Sequence, residues 1–432
     1  MRIERPDYIE KLVRKKENGM IKVITGIRRS GKSYLLKELY RNYLIDNGVA
    51  EEQIIILDLD EIGNAKYRNP FEMDIFIKTR MTDPSKMYYI FIDEIQKASA
   101  VANPYVDDRD EKITFVDTIL GLQKQKNADI YVTGSNSKML SSDVLTMFRG
   151  RGDEIRVRPL SYSEFRSAYT GDIRHAWRDY WTYGGMPYVM SLNEHKDKSD
   201  YLRELFTKIY LQDILERNNI KNDSLILEDL LDCLSSSVGS LRNPTKLSNT
   251  FASEKNVKIS NYTIDKYLGY FEDSFLLEKI HRYDVKGRKY ISTPMKYYFE
   301  DVGLRNARLI FRQMEENHIM ENIIYNELAL RGYNIDIGVV ELNGRDSNGK
   351  SCRKQLEVDF VANNGSNRYY IQSAFNMDDM NKQKQEIASL LNITDSFTKI
   401  IVQKDDIIPW RDDNGILHLN IEQFLLDRNL LS

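Results

Sequence analysis

Gly26-Ile27-Arg28-Arg29-Ser30-Gly31-Lys32-Ser33 follows an apolar run, Met20–Thr25 (MIKVIT), and opens a helical pattern, Lys32–Asn47. The eight residues match GxxxxGK[ST] in the context that pattern requires, a strand before and a helix after. Glycines let successive backbone N–H groups curl around phosphate oxygens, and a helix N-terminus favours negative charge. Gly26 to Ser33 are therefore the expected nucleotide-binding residues. Lys32 is expected to reach the β- and γ-phosphates and Ser33 to ligate Mg²⁺. ATP and Mg²⁺ are the cofactors this implies.

Outward from that loop, Met87–Glu94 (MYYIFIDE) is an apolar strand ending in two carboxylates. Asp93 is expected in the Mg²⁺ shell and Glu94 to orient or activate the attacking water. Ile130–Ser137 (IYVTGSNS) is a further apolar strand ending in small polar residues. Ser135 or Asn136 would contact the γ-phosphate or the water there, although an ordinary polar turn would carry the same letters. Arg149-Gly150-Arg151 precedes Ile155–Leu160, read as a fifth strand. An arginine there resembles the arginine finger of AAA-type ATPases, and that resemblance implies that Arg149 or Arg151, the two not being separable, neutralises charge on the transferred phosphoryl group of a neighbouring subunit; a solvated surface pair explains the same residues. A homo-oligomer follows from this reading.

The runs at Met20–Thr25, Gln53–Asp58, Met87–Ile92 and Ile130–Thr133 alternate with helical patterns such as Ile113–Gln125. Strands buried on both faces and separated by helices predict a parallel α/β sheet over residues 1–160. After Ser161 the pattern turns helical, at Tyr162–Tyr169, Ile173–Tyr183, Tyr201–Arg217 and Ser224–Ser236, with apolar positions three and four apart. From Asn243 a short helix, a turn, the helix Asn261–Ser274 and two strands around Val285-Lys286-Gly287-Arg288-Lys289 give the outline of a winged helix. From about Glu321 a helix, ENIIYNELALRG, precedes strand-like runs at Glu357–Ala362, Tyr369–Phe375 and Lys399–Gln403.

The 432 residues suggest two to four domains. With 62 Lys+Arg against 65 Asp+Glu the net charge is −3, which excludes a uniformly basic nucleic-acid coat but not a local basic patch. No apolar stretch is long enough to span a bilayer, and the charged N-terminus reads as an amphipathic helix rather than a signal peptide. Cys233 and Cys352 lie far apart and the five histidines are scattered, so neither a disulfide framework nor zinc-site spacing is present. The chain reads as cytoplasmic and reduced.

GIRRSGKS, YYIFIDEIQK, VTGSNSKML, FRGR, RPLSYSEF, YGGMPYV and KYYFEDVGLRNA, in this order, resemble a large prokaryotic family of AAA-type/STAND-like P-loop ATPases with a C-terminal restriction-endonuclease-like domain. The resemblance runs nearly end to end. It implies an ATPase core (1–160), a helical lid (161–240), a winged helix (241–300) and a PD-(D/E)xK-like domain (301–432). It also implies that Pro187, in Gly185-Met186-Pro187, contacts the nucleotide as a G-x-P element of the STAND class does; a helix-breaking turn explains the same residues.

Residues 241–298 hold 11 Lys/Arg against 6 Asp/Glu, a local +5. Lys258, Lys266, Lys286, Arg288 and Lys289 fall on or near the second helix and the hairpin turn, which suggests DNA contact; a regulatory protein contact is the competing reading. In the C-terminal region Glu327 and Asp359 supply carboxylates, but Gln372 and Ala374 stand where an acid and a lysine are usual. Lys382 or Lys384 would have to substitute. That domain is expected to lack nuclease activity. The leading expectation is a Mg²⁺-dependent ATPase coupled to a DNA task, branched or junction DNA being the first class to test. A STAND-like signalling or defence switch that binds a protein partner, and an ATP-gated nuclease, are the alternatives.

Overall fold

Five strands make the main sheet of the N-terminal region: β1 (Ile21–Thr25), β2 (Ile54–Asp58), β3 (Tyr88–Asp93), β4 (Ala128–Thr133) and β5 (Gly152–Arg156). They form one parallel sheet in the order β2-β3-β4-β1-β5. β1 and β3 are buried at every position, as strands covered on both faces must be. The helices are α1 (Pro6–Lys15), α2 (residues 32–46, with a π-helical stretch at Leu35–Tyr40), α3 (Pro70–Arg80) and α4 (Phe115–Gln123). α3 starts on Pro70, and the Asn69 side chain accepts from Phe71 N–H at 3.0 Å. α4 starts on a Thr114–Asp117 capping box. Ile90, Ile92, Ile119, Leu122, Ile130 and Phe148 belong to the core between sheet and helices.

β5 begins and ends earlier than the expected Ile155–Leu160. Its register with β1 runs from Ile21↔Gly152 to Thr25↔Arg156, so pairing stops where β1 runs into the Gly26 loop.

The computed structural model describes residues 2–106, 110–134, 148, 150–220, 224–255, 257–345, 351–375 and 387–431. It divides into two compact units, Met1–Pro159 and Leu160–Ser432. The expected segments 161–240, 241–300 and 301–432 thus fall within one unit.

That second unit opens with α5 (Tyr162–Ser167), α6 (Ala176–Tyr183), α7 (residues 195–217), α8 (Ser224–Ser236), α9 (Pro244–Thr250) and α10 (Asn261–Asp273). The hairpin β6 (Leu277–Asp284) and β7 (Lys289–Phe299) follows, then α11 (Val302–Arg308) and α12 (Glu316–Leu330). After these come β8 (Asn334–Arg345), β9 (Ser351–Asn364), β10 (Asn367–Ala374), β11 (Thr398–Gln403), β12 (Trp410–Arg411), β13 (Leu417–Asn420) and α13 (Ile421–Leu426), among others. One eight-stranded sheet runs β12-β13-β11-β10-β9-β8-β6-β7. The hairpin is therefore not a separate ribbon. β6 pairs in parallel with β8 over Ile337↔Arg282 to Val339↔Asp284, and Val285 joins Val340, Val358 and Val361 in the core of the C-terminal sheet. The boundary expected at residue 300 cuts through this sheet.

Candidate nucleotide-binding site

The loop from Gly26 to Ser33 leaves the carboxyl end of β1 and enters α2, with Gly31 at the helix N-cap in a left-handed conformation, φ 97°. Arg29 is also left-handed, φ 64°. Arg28 and Arg29 are exposed; Gly26, Ile27, Ser30 and Lys32 are buried. The Lys32 ammonium donates to the carbonyls of Gly26 (2.8 Å) and Ile27 (2.9 Å). Burial pulls its pKa down to about 8, with Glu94 and Asp93 opposing and Arg28 assisting. A buried cation resting on neutral carbonyls is a seat for an anion. Among the described residues Ser30 Oγ is buried without a hydrogen-bond partner, which fits the same anion.

Ser33 Oγ donates to Asp93 Oδ1 at 3.0 Å, joining the end of the loop to the end of β3. Thr133, at the end of β4, donates to the same oxygen. Lys37 Nζ lies 2.6 Å from Asp93 Oδ2 and pairs also with Asp58. Burial disfavours the charge on Lys37, but these carboxylates outweigh it and raise its pKa. Among the described residues no three His, Cys, Asp or Glu are arranged to hold a metal by themselves. A nucleotide-borne Mg²⁺ does not need them, since it takes one or two protein oxygens, phosphates and water. Ser33 and Asp93 fit that demand.

Glu94 adopts a left-handed conformation, φ 54°, which is costly for a residue with a Cβ and recurs at functional sites. Its N–H donates to Thr133 Oγ1 at 3.1 Å, and its carboxylate accepts from Gln96. The structure thus brings Lys32, Ser33, Asp93 and Glu94 together at the carboxyl end of the sheet. Arg151 is exposed and precedes Gly152, the partner of Ile21 at the opposite end of β1. At about 3.3 Å per residue the five-residue strand separates it from its own phosphate loop by roughly 16 Å. Ser135, Asn136 and Arg149 lie outside the described residues.

Sequence reasoning missed four contributors. Arg5, 2% exposed, donates to Ser30 O at 3.0 Å and to Arg158 O at 2.9 Å, so the segment before α1 braces the loop from behind. Lys37, Asp58 and Thr133 surround Asp93. The one available signal was Lys37 standing four residues after Ser33, one helical turn on.

Pro187 begins a 3-10 turn, Pro187–Ser191, in the second unit. The glycines before it are accounted for locally. Gly185 N–H donates to Asp301 Oδ2 at 2.7 Å, and a Cβ on Gly184 would lie 2.3 Å from Asp301 Oδ1. Asp301 also caps α11 through Leu304 N–H at 2.9 Å. Lys258, Lys266, Lys286, Arg288 and Lys289 are all exposed, the first two before and on α10 and the others at the β6–β7 turn.

At the C-terminal sheet the carboxylate facing Asp359 is Glu321, not Glu327. Glu327 is buried against Arg331 at 2.7 Å. Lys296, from β7, lies 2.7 Å from Glu321, 2.8 Å from Glu357 and 3.4 Å from Asp359. Gln372 Oε1 accepts from Asp359 N–H at 3.4 Å, and Ser373 N–H donates to Asp359 Oδ2 at 2.9 Å. Burial, then Glu321, raises Asp359 to about 7, against Lys296 and the Ser373 N–H. Ala374 is buried; Lys382 and Lys384 lie outside the described residues.

An AAA domain matches residues 18–166, and a domain of unknown function, DUF8612, matches residues 174–315. The loop, the paired carboxylates and the parallel sheet therefore belong to an AAA-type P-loop ATPase fold. An uncharacterized protein of Haemophilus influenzae is 34% identical over 405 residues, covering 93% of both chains. This chain belongs to one family with it. An uncharacterized protein of Methanocaldococcus jannaschii is 26% identical over 385 residues, covering 84% of this chain and 77% of that one. A Walker-type ATPase of Pyrococcus abyssi is a structural neighbour with TM-score 0.48 and 13% identity, over 71% of this chain and 96% of that chain. Among the described residues no helix is long and apolar enough to cross a membrane.

Proposed function

We propose that the protein is a Mg²⁺-dependent ATPase whose nucleotide cycle is coupled to DNA binding. The observation that carries the ATPase reading is Lys32, a buried ammonium held by two neutral carbonyls beside the Ser33–Asp93 contact. In this reading the N–H groups of the loop and Lys32 bind the β- and γ-phosphates. Ser33 and Asp93 hold Mg²⁺, which neutralises phosphate charge when bound. Glu94 orients the attacking water and takes up its proton. Arg149 or Arg151 serves the nucleotide of a second copy, which the exposure of Arg151 and its remoteness from its own loop support.

The same reading treats residues 161–240 as a lid, α9, α10 and the β6–β7 hairpin as a winged helix, and α12 with β8 to β11 as a restriction-endonuclease-like core. DNA contact rests on the five exposed basic residues of that winged helix. Lys32→Ala is expected to weaken ATP binding at least tenfold, and Glu94→Gln to bind ATP while losing about a hundredfold in turnover. ATP binding by filter retention and phosphate release check this pair. Full activity in both variants overturns the reading.

A further inference from the structure

Lys37, Asp58 and Asp93 form a group that nucleotide binding alone does not explain. Lys37 follows Ser33 by one turn of α2, so both side chains reach the same strand end. Asp58 and Asp93 close β2 and β3 and are register partners on neighbouring parallel strands. The Lys37 ammonium bridges them, 2.6 Å from Asp93 Oδ2 and bonded to Asp58 Oδ2. Asp93 Oδ1 meanwhile accepts from Ser33 at 3.0 Å and from Thr133. Both oxygens of the carboxylate expected to serve Mg²⁺ are thus engaged by the protein's own donors.

A divalent cation arriving between Ser33 and Asp93 would bring two positive charges within a few ångströms of that ammonium. Like charges so close, in a site of reduced dielectric, repel strongly. The ammonium has somewhere to go. Asp58 is 18% exposed against 5% for Asp93, so it lies on the wetter side. Its Oδ1 is fixed by Asp60 N–H at 2.9 Å, leaving Oδ2 for Lys37.

We infer that Lys37 is the resident counter-ion of Asp93, and that it withdraws onto Asp58 when the Mg²⁺-bound nucleotide enters. The two residues thereby set the divalent-ion requirement of the site. This rests on the nucleotide reading above. Lys37 and Asp58 are positioning residues: they act on the metal through Asp93.

The test measures the free Mg²⁺ concentration that half-saturates binding of a fluorescent ATP analogue to the full-length protein. Lys37→Met removes the competing cation, and the half-saturating Mg²⁺ should fall roughly three- to tenfold. Asp58→Asn removes the second seat and ties Lys37 to Asp93, so the value should rise by a similar factor. Lys37→Arg keeps the charge and should stay closer to wild type than Lys37→Met. In the Lys37→Met background Asp58→Asn should have a clearly smaller effect, because only the direct loss of its charge remains. An unchanged Mg²⁺ dependence in Lys37→Met, or a full Asp58→Asn effect in the double variant, overturns the inference while the nucleotide reading stands. If Lys37→Met does not fold, the sign of the Asp58→Asn shift decides alone, no shift or a fall being fatal. Wild-type protein that binds no nucleotide overturns both.

Discussion

Gly26 has no room for a side chain. A Cβ there would lie 2.1 Å from the Val157 carbonyl oxygen, and its φ of 129° is one that residues with a Cβ rarely adopt. Gly26→Ala must therefore push the loop away from Val157, just past the end of β5. The expected result is a loss of at least about 2 kcal/mol in urea unfolding, with ATP binding abolished; unchanged binding by calorimetry would show that the loop tolerates the shift. The glycine was legible because the motif demands backbone close to phosphate. Its neighbours were not. Arg5 contributes a guanidinium from 25 residues upstream, a distance over which no spacing rule operates. Glu321 and Glu327 share α12, six residues and thus roughly 120° apart around it. Choosing between them requires knowing which face meets β9. That helix is buried on nearly every side, from Ile319 to Leu330, so no apolar stripe marks the face.

At the scale of elements, the strands of the first sheet were legible to within about two residues, except β5, whose limits are set by pairing with β1. The hairpin was legible as a hairpin but not as part of the larger sheet. Its connection to β8 is parallel and remote in sequence, and an alternating strand carries no mark of which partner takes its second edge. The turn before Pro187 shows the same limit. Gly184-Gly185 reads as a breaker, while the reason for it is Asp301, which lies 116 residues beyond Gly185. Burial raises Asp301 to about 6, against the N–H groups of Gly185, Leu304 and Gly303. For a carboxyl group raised in the folded state the unfolded chain loses its proton first. Its contribution to stability is full below the ordinary value of 3.8 and is lost as pH rises through about 6. Wild type compared with Asp301→Asn should show this directly. The stability difference between them should shrink from pH 4 to pH 7 by an amount on the order of 3 kcal/mol, measured by urea unfolding at each pH. A constant difference would mean that Asp301 folds ionised.

For the whole molecule, composition excluded a basic coat and left a basic segment, and the five cations there are exposed. Replacing Arg288 and Lys289 together by Ala should weaken DNA binding and reduce the slope of log affinity against log salt by roughly 2, since each phosphate contact releases counter-ion. Unchanged affinity and slope would move the contact elsewhere, and no binding at all favours the protein-partner switch. The C-terminal centre is expected to stay silent in the same mixtures. A metal-dependent nuclease needs carboxylates converging on a cation and water. Here Lys296 places its own ammonium among Glu321, Glu357 and Asp359, at 2.7, 2.8 and 3.4 Å. Gln372 is neutral, and a neutral amide is a weaker Mg²⁺ ligand than a carboxylate. Removing the ammonium instead leaves three acids facing one another, so Lys296→Met should cost about 3–5 kcal/mol in urea unfolding. Linear, nicked and branched DNA incubated with pure protein in Mg²⁺ or Mn²⁺, with and without ATP, should remain intact on gels. Cleavage that disappears in Asp359→Ala would show that Lys296 yields its place to a metal ion and that the centre works as a nuclease.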